Sequence, residues 1–178
     1  IEDEMIILNK PRFHTHPIFG EKFDIVALEI TDIFKNNNDV NIISYENEKI
    51  NPKLQLGVMD DVFVIGYPLD NSITPNKYPI YKGATVASEP DAFEEFPIFY
   101  VDSKTKKGMS GSPVIKKSRI DIKKHENGAA LVSSESEDFI GIYSGRDRQE
   151  NDIYQAELGI VWRYKECLLP IIEDMLSK

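Results

Sequence analysis

The chain is divided into short runs of apolar and β-branched residues, and clusters of turn-forming residues separate these runs. The separators at 35–39, 67–71 and 148–152 are rich in residues that favour turns, mainly Asn and Asp. Many short strands with frequent breaks are typical of a β-sandwich or barrel. The pattern therefore predicts an all-β fold, with strands at 23–30, 40–44, 62–66, 80–88, 98–102, 112–116, 129–133, 139–144 and 157–162.

One helix is predicted, at the C-terminus. From Tyr164 onward the apolar residues fall at helical spacing, and they are Leu168, Ile171, Ile172, Met175 and Leu176. Pro170 is tolerated only near a first turn, so the regular helix is expected to begin close to it. We expect its apolar stripe to dock on the last barrel.

Composition narrows the classes of partner. A chain of 178 residues can bury a substantial core. Its net charge of −9 argues against nucleic acid and anionic membranes as partners. The apolar runs are too short to span a bilayer, and the acidic start 1–4 lacks the basic region of a secretory signal. The single cysteine, Cys167, excludes an internal disulfide and fits a reducing compartment, so a cytoplasmic location is expected.

The stretch KGMSGSP, residues 107–113, sets Ser110 one residue after Met109 and directly before a glycine. In one interpretation it is a hairpin turn that needs small residues. In the other, Ser110 is a nucleophile, which requires an adjacent base because a serine hydroxyl is unreactive alone. It also requires donors for an oxyanion, and the backbone of a tight turn supplies them if the residue two before the serine lacks a side chain. Gly108 meets that condition.

Asp24 stands at the start of the apolar run FDIVALEI. A carboxylate buried there without partners would be costly. It either faces water at the end of a strand or orients a histidine, and Asp24 alone does not decide between the two.

Several segments occur in one order along the chain, from about Phe13 to the end: FDIVALEI, VFVIGYPLD, KGATVAS, FYVDSKTKKGMSGSPVI, FIGIYSG and the final helix. This order and spacing resemble the trypsin-like serine peptidases, especially their cysteine-poor bacterial, HtrA-like branch. The resemblance implies an all-β fold of two barrels, the first incomplete here, with a C-terminal α-helix. Residues 1–56 would be the remainder of the N-terminal barrel, and residues 57–178 the C-terminal barrel with its helix.

The resemblance also implies roles for individual residues. Asp24 matches the acid of the catalytic triad, and Ser110 matches the nucleophile. The backbone amides of Gly108 and Ser110 would form the oxyanion hole. Ser144 would lie beside the triad aspartate.

The stretch around Ser144 resembles the strand that walls the specificity pocket of the family. Ser144, Gly145 and Arg146 would therefore bind substrate, and Lys104 would lie at the base of the pocket. Lys104 and Arg146 lead to the hypothesis of an acidic side chain in that pocket. The alternative is that the lysines of this loop, Lys104 included, face solvent.

The sequence departs from the family at three points. Met109 replaces an aspartate that pairs with a freed N-terminal amine, so activation through Ile1 is not expected. Ser112 replaces a common glycine, and this change should be tolerated. The third departure concerns the catalytic histidine, which in the family precedes the aspartate.

The three histidines have the wrong surroundings for that role. His125 follows Ser110 in a polar hairpin and is expected to be exposed. His16, followed by proline, resembles a family feature that is not the catalytic histidine, and His14 has unrelated neighbours. One alternative is that His14 or His16 folds back to reach between Asp24 and Ser110. The favoured expectation is that the catalytic histidine and the first strands of the first barrel lie upstream of this chain.

The resulting prediction is a serine endopeptidase acting on a protein or peptide substrate, without a metal or another cofactor. One alternative is an inactive, protease-like module that binds peptides. The other is a structural β-barrel in which KGMSGSP is only a turn. The oligomeric state and the natural substrate are not readable from the sequence.

Overall fold

A computed structural model of the protein describes residues 11–31, 56–68, 78–93, 95–118, 121–125, 128–132, 136–146 and 158–178. The strands in chain order are β1 (Arg12–His14), β2 (Ala27–Glu29), β3 (Asp61–Gly66), β4 (Ile80–Val86), β5 (Ile98–Asp102), β6 (Ser112–Ser118), β7 (Asp121–His125), β8 (Gly128–Val132), β9 (Ser136–Arg146) and β10 (Leu158–Arg163). A π-helical turn, Tyr164–Leu168, leads into helix α1, Leu169–Leu176.

Six strands form a closed antiparallel barrel in the order β10-β5-β4-β3-β6-β9. In β3, DVFVIG, the buried residues Val62, Val64 and Gly66 alternate with residues that are less buried. Such alternation places one face of a strand in the interior. β10 pairs with both β5 and β9 and so completes the ring of strands, which removes open edges.

The N-terminal segment 11–31 packs on the outer side of the barrel, against β5, β9 and β10. Its strands β1 and β2 pair antiparallel in a two-stranded sheet. Phe23 and Ile25 are buried in a cluster with Trp162 of β10 and Ile171 of α1. The rings of Phe23 and Trp162 are 5.1 Å apart, so apolar contact attaches the segment to the barrel.

The C-terminal helix occupies the same cluster. Pro170 lies in the first turn of α1, where a missing amide hydrogen costs little. Ile171 is buried. Cys167 is buried too, and burial, followed by the charge of Glu166, outweighs the opposing effect of Arg163 and raises the pKa of its thiol to about 12.

The predicted all-β fold with a barrel and a C-terminal helix is confirmed. The strand expected over 23–30 is wrong in extent, since only Ala27–Glu29 pairs. Residues 23–26 leave the sheet because Phe23 and Ile25 pack on the outer side of the barrel instead. The strand expected at 40–44 lies outside the described residues, as does much of 1–56. The incomplete first barrel and the boundary at residue 57 therefore stay predictions.

Candidate active site

The turn that carries Ser110 is held in a conformation that needs its two glycines. Gly108 has φ +93° and Gly111 has φ +83°, in the left-handed region that glycine enters without steric cost. The amide of Gly111 donates a hydrogen bond of 2.8 Å to the carbonyl of Tyr143, and the amide of Ser112 donates to Met109. The turn is therefore fixed to β9 immediately after Ser110.

Met109 and Ser110 face opposite ways. The Met109 side chain is buried in the barrel core, whereas Ser110 is exposed. The amide of Met109 donates to the carbonyl of Lys106. No acceptor for the amides of Gly108 and Ser110 is found within the part of the chain that the structure describes.

Two hydrogen bonds connect Ser110, Ser144 and Asp24. The Ser110 hydroxyl donates to the backbone carbonyl of Ser144 at 2.9 Å. The Ser144 hydroxyl donates to Asp24 Oδ2 at 2.8 Å. Residues from three separate parts of the chain therefore meet at one point, with Ser144 between the other two.

Asp24 is presented by the buried residues on either side of it. Phe23 and Ile25 are in the apolar cluster, and Asp24 between them is exposed. The sequence leaves two interpretations of Asp24: a carboxylate that orients a histidine, or one that faces water at the end of a strand. The structure shows an exposed carboxylate that nevertheless accepts a hydrogen bond from the barrel.

A cavity of about 530 Å³ contains this group of residues. Asp24, Ser110 and Ser144 supply polar groups, and apolar walls come from Phe23, Ile25, Ile142 and Tyr143. Pockets for small ligands are commonly about 300–1,000 Å³, mostly apolar with a few placed polar groups. The cavity has the size and composition of a binding site.

Of the four predicted substrate-binding residues, Ser144 and Gly145 lie at this site. Gly145 has φ +133°, and a Cβ there would be 3.4 Å from Ser110 Oγ. Arg146 ends β9, and its side chain is outside the described residues. Lys104 is exposed and lines a different cavity, with Lys82 among its neighbours. The described lining of the Ser110 cavity does not include Lys104.

His16 has a structural role. Its ring is buried, and Nδ1 accepts hydrogen bonds of 3.2 Å from the amides of Ile18 and Phe19. Nε2 then carries the hydrogen and donates to the carbonyl of Glu166 at 3.2 Å. The ring thus holds the 16–20 turn against the start of the C-terminal helical region.

His14 does not complete the site either. His14 lies on β1 with its Nε2 3.8 Å from a Glu29 carboxylate oxygen. The side chain of His125 is outside the described residues. Among the residues whose side chains are described, no histidine lines the Ser110 cavity.

Sequence reasoning missed two residues, Tyr143 and Thr105. Their hydroxyl oxygens are 2.6 Å apart in the buried interior. Tyr143 lies within the quoted stretch FIGIYSG, but the direction of its ring depends on neighbouring strands. In the described ranges, no three His, Cys, Asp or Glu side chains come together in a way that could hold a metal ion.

Comparison with known proteins identifies no family: neither a family model nor a curated protein matches the sequence. None of the helices in the described parts of the chain has the length and apolar character needed to cross a membrane.

Proposed function

We propose that the protein is a serine endopeptidase in which Ser110 is the nucleophile and Asp24 the orienting acid. The observation that carries the proposal is the hydrogen-bonded series Ser110–Ser144–Asp24 along one cavity. Nucleophile and acid come from distant parts of the sequence and share a cavity wall. The ordered resemblance of the sequence to trypsin-like peptidases supports the same roles.

In the proposed reaction, Ser110 Oγ attacks the carbonyl carbon of a peptide bond and a base takes its proton. The carbon–nitrogen bond then breaks, and the base returns the proton to the leaving amine. Water, deprotonated by the same base, attacks the resulting ester and releases the carboxylic acid and free Ser110. No metal or cofactor takes part in these steps.

In this proposal the base is a histidine from a segment upstream of Ile1, and its side chain lies between Asp24 and Ser110. His16 is hydrogen-bonded to Glu166, and neither His14 nor His16 is among the described residues that line the Ser110 cavity. A carboxylate beside a histidine fixes its tautomer and stabilises its protonated form. The position of Asp24 at the cavity suits that role, because the Ser144 hydroxyl holds one of its oxygens.

Stabilisation of the oxyanion would come from the turn itself. Gly108 and Ser110 flank Met109, whose own amide is bonded to Lys106. Backbone amides fixed in a turn need no reorganisation when charge develops, and one such donor is worth roughly 10²–10³ in rate. Acidic substrate specificity is not part of the proposal, because Lys104 lines another cavity. A cytoplasmic location is proposed only from the single cysteine.

The test is labelling of the full-length encoded chain with a fluorophosphonate, read by intact mass. We expect one adduct on the parent and none on Ser110→Ala. Ser118→Ala, on β6 beyond the turn, is the matched control and should label like the parent. No adduct on a folded, full-length parent would overturn the proposal.

A second candidate function is peptide binding without catalysis. The ladder between β6 and β9 ends at Ser112–Tyr143, while β9 continues to Arg146 along β10. In the described structure, the other side of residues 144–146 has no paired strand. An extended peptide can add to such an edge through main-chain hydrogen bonds. Absence of the adduct together with peptide binding that Gly145→Pro removes would favour this function.

A further inference from the structure

The ring of His16 is buried, and both of its nitrogens are used in hydrogen bonds. The residue is 4% exposed. Nδ1 accepts from the amides of Ile18 and Phe19, both at 3.2 Å, and Nε2 donates to the carbonyl of Glu166 at 3.2 Å. A ring nitrogen accepts a hydrogen bond only while it carries no hydrogen. The observed bonds therefore require the neutral ring with its hydrogen on Nε2.

The turn that this ring holds leads directly to Asp24. The carbonyl of His16 accepts from the amide of Gly20 at 2.8 Å, which closes the turn. The His16 ring centroid is 4.9 Å from that of Phe23, and the Phe23 ring stacks on Phe19 at 4.5 Å. Phe23 immediately precedes Asp24 in the chain. His16 therefore acts on the position of Asp24 through Phe23 and the turn.

The carboxylates that the C-terminal elements bring near His16 have other partners. On the π-helical turn, the Glu166 carboxylate is 3.5 Å from Arg163 Nε. On α1, Asp174 is 2.6 Å from Lys178 Nζ, and both residues line the cavity that His16 also lines. The cation of Lys178 on this side disfavours a second positive charge on the ring.

The segment itself brings three ionisable side chains close to His16 in sequence. His14 lines the same cavity as His16, with its Nε2 3.8 Å from Glu29 Oε2. Glu21 and Lys22 line the cavity of the candidate site and are not among the described residues that line the cavity at His16. The described carboxylates thus offer His16 no ion pair, and a buried charge without a partner is costly.

We propose that His16 is a proton-dependent positioning residue, which holds Asp24 in the candidate site only while its ring is neutral. The effect on reaction rate rests on the proposed peptidase function. Histidine side chains commonly change charge between about pH 5 and 8. A proton on Nδ1 turns that acceptor into a donor, so the amides of Ile18 and Phe19 lose their partner. The ring then leaves its place at acid pH, and Phe23 and Asp24 move with it.

The first test follows the fluorescence of Trp162, which is buried with its ring 5.1 Å from that of Phe23. Its emission is the difference between the full-length encoded chain and a Trp162→Phe variant. As pH falls from about 8 to 5, we expect a reversible shift to longer wavelength, because departure of Phe23 exposes the indole to water.

Two histidine variants decide whether His16 causes this shift. His14→Asn is the matched control on the same segment and should shift like the parent. His16→Asn should not shift, because asparagine does not titrate and its side-chain oxygen can accept from the amide two residues on. Absence of the shift in the parent, or an equal shift in His16→Asn, would overturn the inference.

The second test separates hydrogen bonding by His16 from the packing of its ring, through the rate of fluorophosphonate labelling at neutral pH. His16→Phe keeps a ring against Phe23 but removes both nitrogens, and it should label about 10²-fold more slowly than the parent, the scale of a small misplacement of a catalytic group. His16→Asn loses the ring but keeps the acceptor, and it should label faster than His16→Phe. The reverse order would mean that packing alone matters and would overturn the inference.

An Asp24→Asn background shows whether His16 acts through Asp24. There, His16→Phe should change the labelling rate by less than about twofold, because the group that it displaces is already disabled. The same loss in both backgrounds would overturn the inference.

The two tests also distinguish this inference from the peptidase proposal. If the parent is not labelled but shows the acid shift that His16→Asn lacks, the peptidase proposal fails and the proton-dependent position of the segment stands. If the parent is labelled but shows no acid shift, the peptidase proposal stands and the inference about His16 fails.

Discussion

The closed barrel and the N-terminal segment 11–31 differ in how they bury their apolar side chains. In the barrel, the inward residues of its strands share one core cluster. In the segment, Phe13 is 61% exposed and Ile18 is 81% exposed. A two-stranded sheet is marginal on its own in water, so the segment depends on Phe23 and Ile25 packing against the barrel.

The residues of the candidate site come from both of these regions. Ser110, Ser144 and the turn amides belong to the barrel, whereas Asp24 belongs to the segment. The hydrogen bond from Ser144 to Asp24 crosses between the two regions. We therefore expect the nucleophile turn to survive changes that displace the acid, and the variants below test that separation in order of decreasing effect.

Asp24→Asn should have the largest effect, a decrease on the order of 10³–10⁴-fold in the rate of fluorophosphonate labelling of the full-length chain. The amide still accepts from Ser144, but it cannot stabilise a protonated histidine. Stability should change little because Asp24 is exposed. Asp61→Asn, an exposed carboxylate of β3, is the control and should label at the parent rate; equal rates for both variants would contradict the role of Asp24.

Phe23→Ala should lower the free energy of unfolding by about 3–5 kcal/mol, the usual cost of removing a buried aromatic ring. Phe13→Ala, on the same segment but exposed, should cost less than about 0.5 kcal/mol. Chemical denaturation measures both. Similar losses for the two variants would mean that the segment is not held by Phe23, and the contrast between the two regions would fail.

Gly145→Ala should cost about 1–3 kcal/mol, since φ +133° is strained for any other residue. It should also slow labelling, because the new Cβ lies 3.4 Å from Ser110 Oγ. Gly83→Ala is the matched control: its Cβ would meet nothing within 4 Å. If the Ala variants at 145 and 83 have the same stability and labelling rate, Gly145 does not shape the site.

The smallest expected effect is on the pH dependence of stability, through the carboxylate of Asp60 in the barrel region. Burial would raise the pKa of Asp60, but hydrogen bonds from Lys116 and the Gly57 amide, with the Lys116 charge, outweigh it and hold the pKa below its ordinary 3.8. The ionised form therefore stabilises the fold above that value, and this contribution is lost as pH falls below 3.8. Asp60→Asn should flatten the acid limb of an unfolding free energy profile by no more than about 1 kcal/mol. An unchanged acid limb would show that the ion pair adds nothing.

The sequence alone determined the features that depend on neighbours along the chain. The spacing of apolar residues predicted most barrel strands and helix α1, because side-chain periodicity is a local property of the backbone. The two glycines around Ser110 predicted a tight turn, and both have positive φ. Ser110 and Asp24 could be selected as candidates for the same reason, from residue type and local context.

Tertiary structure decided what depends on contacts between distant residues. Residues 23–26 left the sheet because burial of Phe23 and Ile25 against Trp162 replaced strand pairing. The Ser144–Asp24 hydrogen bond joins residues 120 positions apart, and Gly159 lies so close to the Tyr143 ring that a Cβ there would be 2.3 Å from it. No local pattern specifies such pairs, because the position of each partner is set by strand pairing and packing between distant segments and not by the residues beside it.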